Sequence, residues 1–453
     1  MGPLEKQAAF VVAFTLESAP KEVLDAAKLC ILDTVGVAIG AGDNPQVRSV
    51  IKAYQEMEKG CEAVSVWGSD VKLSVFRAAF VNAVMGHTLE LDDVHVRSKT
   101  HIGTVVIPAA WAMAEQVGCD GKKFLEAVIC GYEIMARIGM GFGVSSHREK
   151  GWHVTSTAGT FGAAAACAKL LDLSAEQTAN ALGLAGTQSF GLWAFLEAGS
   201  TNKPLHPARA AMNGMESAVL ARAGMTGPVG ILDARDGGLF SAMSDAYDLS
   251  LVTDGLGERY EILQLDKKPY PCCRSAHCAI DAAIRLRREH GLTADKIEKI
   301  LVETYKVGYM QVGCSEPSLN PKLPSDAKFS TPYVVACAML DGEVGLEHFL
   351  PGDIEKADRR AMLGKVTVVP SDVFTARYPR NWGCRMTVTT TSGEEYGVEV
   401  PDASGSVGAP MSAEAVRDKA VGAARKLLGE GAEAALAGIL EMEKAPTLRK
   451  FFA

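Results

Sequence analysis

Eighteen residues, "GHTLELDDVHVRSKTHIG" from Gly86 to Gly103, hold three histidines, three acids, an arginine and a lysine. Histidine titrates near neutral pH, and carboxylates beside it set its proton affinity, so this composition suits acid–base chemistry. His87, His95 and His101 with Glu90, Asp92 and Asp93 also carry metal-ligand atoms. A helical zinc pair, however, needs two histidines four apart with a glutamate between them, and the "RSKTHIG" end reads as a loop. Arg97 and Lys99 in the same loop would oppose a divalent cation, so no metal is expected. Asp92 and Asp93 are expected to cap a helix or to pair with Arg97, at least in part. Glu90, Asp93 and the histidines otherwise stay open to acid–base work.

Three further clusters carry polar groups beside small-residue helices. In "KGWHVTSTAGTFGAA", His153 precedes a Ser/Thr-rich helix start, whose exposed N–H groups favour an anion; the alternative is a capped helix beside a core histidine. In "TNKPLHPARAAMNG", Lys203, His206 and Arg209 surround two prolines before a helix expected near Ala208. Such a cationic turn suits carboxylate binding, unless Arg209 is a buried partner for an acid. In "LDKKPYPCCRSAHCAIDAA", Lys268, Arg274 and His277 stand where the sequence changes texture, and adjoining regions of two domains favour ligands. Cys272 and Cys273 read as structural thiols, because adjacent cysteines form strained disulfides. No dinucleotide, Walker or nucleophile-elbow pattern occurs, which weighs against hydride transfer, phosphoryl transfer and serine hydrolysis.

The elements that must position these groups follow from periodicity. "FRAAFVNAVM" and "TVVIPAAWAMAEQV", flanking the first cluster, have the texture of buried helices. From Leu4 to about Gly224 the pattern is helical nearly throughout, with start signals at Pro20 and at Ser174–Glu176. After about Ile262 it changes: "KIEKILVETY", "KVTVVP" and "CRMTVTTTSGEEYGVEV" are β-rich, the last a hairpin turning at Ser392–Gly393. "TPYVVACAML" and "DIEKADRRAML" between them are helical, and helix returns from Ser412. The expected fold is mainly α with an α+β part. A large helical domain is built from residues 1–264 and 403–453, and a smaller α+β domain, 265–402, is inserted into it.

The 453-residue chain is long enough for two domains, and its net charge of −8 argues against nucleic acid as the main partner. Eleven cysteines without any C-x-x-C indicate a reduced, cytoplasmic protein, and the apolar runs are too short to span a membrane. The N-terminus carries neither a cleavable signal nor a myristoylation pattern.

Seven stretches in order, "GHTLELDDVH", "HIGTVVIPAA", "GWHVTSTAGTFGAAAA", "KPLHPARAAMNG", "ARAGMTGP", "KPYPCCRSAHCAIDA" and "YVVACAMLDG", resemble the MmgE/PrpD family of 2-methylcitrate dehydratases, cis-aconitate decarboxylases and an iminodisuccinate epimerase. The resemblance implies a helical domain from both chain ends, a smaller lid domain, a homodimer, and a cofactor-independent site between the domains. It implies a catalytic role for His101 and His153 and an active-site role for Tyr333. It also implies substrate binding by Lys203 and Lys268, and it puts Glu90 where the decarboxylase branch has Asp. His206, Arg274 and His277 join the substrate-binding set. Val94 departs from a threonine of that branch and Cys273 from a histidine. The expected substrate is a small polycarboxylate, and the expected reaction is that of a 2-methylcitrate dehydratase-like hydro-lyase. Decarboxylation and epimerisation are the alternatives, and an inactive metabolite-binding scaffold is the reading from a different class.

Overall fold

The computed structural model describes all residues except 59, 61, 62, 199, 450, 452 and 453, and the side chains of 197 and 198. By compactness the chain divides into two units: residues 1–193, 202–266 and 412–453 form the first, and 194–201 with 267–411 the second. The fold is mainly helical with an α+β part, as the texture of the sequence indicates.

Long small-residue helices make the first unit: Lys21–Gly40, Val75–Thr88, Gly103–Val117, Gly121–Gly141, Val154–Leu170 and Leu205–Arg222. Val154–Leu170 is buried along its whole length, lying against Gly121–Gly141 and Leu205–Arg222. Its run of Ala and Gly leaves no room for bulk, so the helices approach closely. The two chain ends meet for the same reason. A Cβ at Gly36 would lie 2.6 Å from that of Ala420, and one at Gly40 2.6 Å from the carbonyl oxygen of Ala423, so helix Lys21–Gly40 seats directly on helix Ala413–Leu428. Start signals act as read: Ser174 and Gln177 cap reciprocally at 3.1 Å, and the Ser412 hydroxyl accepts from Ala415 N at 3.1 Å. No helix among the described residues is long and apolar enough to cross a membrane.

Two short ladders interrupt the expected all-helical stretch. Val64–Ser65 pairs with Lys72–Leu73, and Val94–His95 pairs antiparallel with Leu265–Asp266. Two residues are too few to leave a period-2 signal, so neither ladder was legible.

The second unit holds a four-stranded sheet in the order Val366–Pro370, Ile297–Thr304, Cys384–Thr390, Glu395–Val400. The first pairing is parallel and the other two are antiparallel. The final hairpin turns where expected, with Gly393 at φ +87°, a conformation that suits glycine. Helices His277–His290 and Thr331–Asp341 share the unit's apolar core. "DIEKADRRAML" is two short helices, Pro351–Ile354 and Ala357–Leu363, rather than one.

Candidate active site

Helix Val75–Thr88 delivers His87 in its last turn, and the chain then bends through Glu90, whose φ of +58° is left-handed. Such strain in a non-glycine residue persists only where the surroundings over-determine it. The ladder to Leu265–Asp266 follows, His95 N donates to Thr100 O at 2.8 Å, and helix Gly103–Val117 begins directly after His101. This excursion folds the chain back so that the rings of His87 and His101 meet edge to face, 4.8 Å between centroids.

Both rings turn Nδ1 toward one oxygen. Asp92 Oδ2 lies 2.6 Å from His87 Nδ1 and 3.0 Å from His101 Nδ1. The carbonyl oxygen of Asp93 is also 3.0 Å from His101 Nδ1. A carbonyl only accepts, so His101 carries its proton on Nδ1 and its lone pair on Nε2. The His101 side chain is 13% exposed, whereas those of His87 and Asp92 are fully buried. In its neutral form a ring held this way can accept a proton at Nε2. Burial pushes the His87 imidazole down to about 4 in spite of Asp92, so it is neutral at pH 7.

The remaining loop residues divide sharply. Asp93, expected to be catalytic, instead ties the loop down: Oδ1 accepts from Gly103 N at 3.0 Å and Oδ2 from the Tyr132 hydroxyl at 2.8 Å. Its carboxylate thus caps the helix that follows His101, in keeping with the capping expectation. Arg97 pairs with Glu261 at 2.9 Å, not with Asp92 or Asp93. His95 faces away from His101, with Nδ1 2.7 Å from Ser98 Oγ and Nε2 3.1 Å from Glu261 Oε2. Burial pushes the Lys99 ammonium well below its usual range, against the opposing pull of Asp266. The argument that Arg97 and Lys99 would repel a cation at the histidines therefore fails. His87, Asp92 and His101 do bring ligand atoms within 4.8 Å of one another. Both Nδ1 atoms are nonetheless engaged in hydrogen bonds, His87 with Asp92 Oδ2 and His101 with Asp93 O, which a metal would have to replace by stripping the proton from Nδ1.

Glu90 and Lys203 form a buried ion pair, Oε1 to Nζ. The same Glu90 oxygen is 4.0 Å from His87 Nε2. The pair and the two histidines are thus one connected group: Lys203, Glu90, His87, Asp92, His101. A second group adjoins it through the backbone, because His101 N donates to Thr155 Oγ1 at 3.2 Å in the first turn of helix Val154–Leu170. His153, the N-cap of that helix, places Nδ1 2.8 Å from His206 Nδ1. One of these nitrogens must donate and the other accept. Burial lowers both rings, His206 to about 4 and His153 well below its usual range, the latter further through His206, Lys203, His87 and His101. Thr155 thus serves the backbone of His101, where the sequence suggested a helix start open to an anion. Arg209, read as a carboxylate grip or a buried structural partner, is exposed on helix Leu205–Arg222, 3.7 Å from Met212 Sδ and with no acid partner among the described residues.

In the second unit Lys268 is fully buried. Arg274 donates to His277 Nδ1 at 3.0 Å and to the carbonyls of Ser404 and Ala403 at 3.1 and 3.3 Å. His277 Nε2 is 3.3 Å from Cys272 O. Tyr333, expected to be a catalytic acid, is 1% exposed. Its hydroxyl donates to His348 O and lies 3.2 Å from Asp353 Oδ2, inside a cluster with Arg359 and Asp341. Its proton is committed to the unit's own interior, so the catalytic reading of Tyr333 is set aside. Cys272 and Cys273 form no disulfide, in keeping with thiols that are structural.

Sequence reasoning weighed His87 and Asp92 only as metal ligands or a cap. The available signal was the five-residue spacing from a helix-terminal histidine to an aspartate, close enough for the chain to turn back.

A helical unit carrying a histidine–carboxylate–lysine constellation, joined to an α+β unit, defines a class. Residues 5–252 match the MmgE/PrpD N-terminal domain and residues 270–443 the MmgE/PrpD C-terminal domain, so the chain belongs to the MmgE/PrpD family. It is similar to the cis-aconitate decarboxylase of Homo sapiens, 29% identical over 90% of this chain and 84% of that protein. It is similar also to the cis-aconitate decarboxylase-like protein oryM of Aspergillus oryzae, 28% identical over 78% of this chain and 77% of that one. The 2-methylcitrate dehydratase of Salmonella typhi is 24% identical over 85% of this chain and 83% of its own length.

Proposed function

We propose that this protein is a lyase that acts on a small polycarboxylate by proton transfer at a carbon next to a carboxylate, with His101 as the proton-transferring group and no cofactor. The observation that carries the reading is His101 itself: Nδ1 is engaged by Asp93 O with Asp92 Oδ2 3.0 Å away, which leaves Nε2 for proton transfer on the most exposed ring of the group. The named relatives, decarboxylases and dehydratases, support the substrate class.

In dehydration, His101 Nε2 takes the proton beside a carboxylate and the C–H electron pair becomes the new C=C. The β C–O bond breaks, and the hydroxyl leaves as water with the proton that His101 Nε2 has just taken, which returns His101 to its neutral state. Charge that develops toward the carboxylate is met by the Lys203 ammonium, and Asp92 steadies the imidazolium. Lys268 is a further carboxylate-binding cation in this reading, with Arg274, His277 and His206 in supporting roles. His153 is the second proton-transferring histidine, and its neutral state lets it accept. Decarboxylation is the second reading, favoured by the higher identity of the two decarboxylase-named relatives. There the C–C bond to a carboxylate breaks, carbon dioxide departs, and the imidazolium protonates the carbanion. Epimerisation shares the carbanion but returns a proton to the opposite face. The two-domain layout of residues 1–264 with 403–453 and 265–402, a cytoplasmic location and a homodimer complete the proposal.

Proton NMR in deuterated buffer with EDTA tests it, with 2-methylcitrate, citrate, cis-aconitate and iminodisuccinate in separate tubes. A new alkene establishes dehydration, loss of carbon dioxide with deuterium uptake establishes decarboxylation, and inversion without elimination establishes epimerisation. Turnover unchanged by the chelator is expected; turnover abolished by it and restored by a divalent metal refutes the metal-free reading. His101→Ala should lower kcat about a hundredfold or more. An unchanged kcat removes His101 from the chemistry.

A further inference from the structure

A carboxylate oxygen flanked by one buried imidazole and one partly exposed imidazole is an arrangement with consequences of its own. A lone His–Asp dyad concentrates the carboxylate's charge on one ring, which fixes the tautomer and favours the imidazolium. Here Asp92 Oδ2 serves His87 at 2.6 Å and His101 at 3.0 Å, and the shorter contact belongs to the ring without solvent exposure. His87 Nε2 has no hydrogen-bond partner among the described residues and stands 4.0 Å from Glu90 Oε1. A protonated Nε2 in that position would be drawn into an ion pair, so a ring with its proton on Nδ1 and a bare lone pair on Nε2 accounts for the geometry. Neutral His87 is thus a standing donor to the same oxygen on which His101 depends.

We propose that Asp92 and His87 are positioning residues for His101: Asp92, 3.0 Å from the Nδ1 whose proton the Asp93 carbonyl accepts, favours the protonated ring, and His87, by donating to the same oxygen, moderates how strongly that carboxylate does so. The proposal rests on the reading of His101 as the proton-transferring group. Neither residue need touch substrate. Sharing the oxygen keeps His101 able to release its proton in the second half of either reaction, where a lone dyad would hold it.

Other charges also face this group. Glu90 and Asp93 come from its own loop, Lys203 and His206 from the segment entering helix Leu205–Arg222, and His153 from the start of helix Val154–Leu170. Lys419 on helix Ala413–Leu428 pairs with Asp33 of helix Lys21–Gly40 at 2.8 Å and donates to Leu91 O at 2.6 Å. None of these is altered in the variants below, so differences between variants report on Asp92 and His87.

The experiment is imidazole nitrogen NMR of the full chain labelled at histidine, together with kcat and KM against pH, for the unaltered protein, Asp92→Asn and His87→Phe. The unaltered His101 should show Nδ1–H at neutral pH. Asp92→Asn should leave the Nδ1–H tautomer, which the Asp93 carbonyl holds, and lower kcat about tenfold to a hundredfold with little change in KM. It should also move the acid limb of the profile down by about one pH unit. His87→Phe keeps a ring in place but removes the competing donor, and should move the same limb upward. A merely structural role gives no reason for opposite movements. An Nε2–H tautomer of His101 in the unaltered protein, or limbs that move together or not at all, overturns the proposal. If Asp92→Asn does not fold, His87→Phe decides alone by the same limb. If no offered substrate turns over, the nitrogen shifts of His101 followed against pH in the unaltered protein and in the variants still decide whether Asp92 and His87 move its protonation in opposite directions, so failure of the functional reading is distinguishable.

Discussion

Single side chains decide what the site can do, and Glu90 shows how. Its carboxylate holds the Lys203 ammonium in a buried pair, on a backbone strained at φ +58°. Two demands compete for Lys203: the resting protein needs a counterion for a buried cation, and the proposed reaction would use that cation for a substrate carboxylate. Breaking a buried pair by removing one charge costs about 3 kcal/mol or more, because the other charge is stranded. Glu90→Gln should therefore lower stability by about 3 kcal/mol without substrate. It should also lower KM, since an anionic substrate then supplies the missing charge. Urea unfolding with and without substrate, beside steady-state kinetics, checks both halves. A raised KM would mean that Glu90 aims Lys203 and does not compete for it.

At the scale of the element, the loop and the helix after it act as one part. Asp93, Tyr132 and Gly103 converge at the start of helix Gly103–Val117, two residues beyond His101. Gly103→Ala puts two effects in opposition. Helix propensity favours alanine by about 1 kcal/mol. The added Cβ, however, would lie 2.4 Å from Thr34 Oγ1 and 2.8 Å from the Tyr132 hydroxyl, and overpacking of this kind costs about 1–3 kcal/mol. The clash should prevail, with a net loss of stability. Moving His101 by a fraction of an ångström should lower kcat by tenfold or more, since about 1 Å of misplacement can lose a hundredfold. Thermal melts and kcat of this one variant test both; an unimpaired kcat would show that His101 does not depend on this junction. The flanking helices were legible from their Ala-rich, apolar texture, as were the sheet strands and the hairpin at Gly393. The pairing of His87 and His101 through Asp92 was not, because it depends on a two-residue ladder to Leu265–Asp266, remote in sequence. Tyr333 misled for a related reason. Its helix was clear, but the groups that claim its hydroxyl, His348 and Asp353, come from 15 and 20 residues further on.

For the whole molecule, the first unit keeps neutral histidines in its interior, and that makes its stability depend on acid. His147 is the cleanest case, because it lies outside the constellation of His101. Nδ1 faces the Met243 carbonyl at 3.2 Å and must donate, while Nε2 accepts from the Thr157 hydroxyl at 2.9 Å. Burial lowers this ring from 6.5 to about 4, as it does His87. A lowered histidine means that the unfolded chain binds more protons than the folded one between those values, so stability rises with pH across the window. On acidification it is intact above about pH 6.5 and is lost as pH falls toward 4, by up to about 3 kcal/mol for each such group. Carboxylates held below their usual range, such as Glu261, add loss in the same direction only at lower pH. Tryptophan fluorescence isolates the unit, since Trp67, Trp111, Trp152 and Trp193 belong to it and only Trp382 lies in the other. The urea midpoint followed this way should fall between pH 7 and pH 4.5. His147→Gln, which offers one donor and one acceptor but cannot be protonated there, should flatten that fall while being less stable at pH 7. An identical slope in the variant would mean that His147 is not held neutral, and that the acid sensitivity of the unit arises elsewhere.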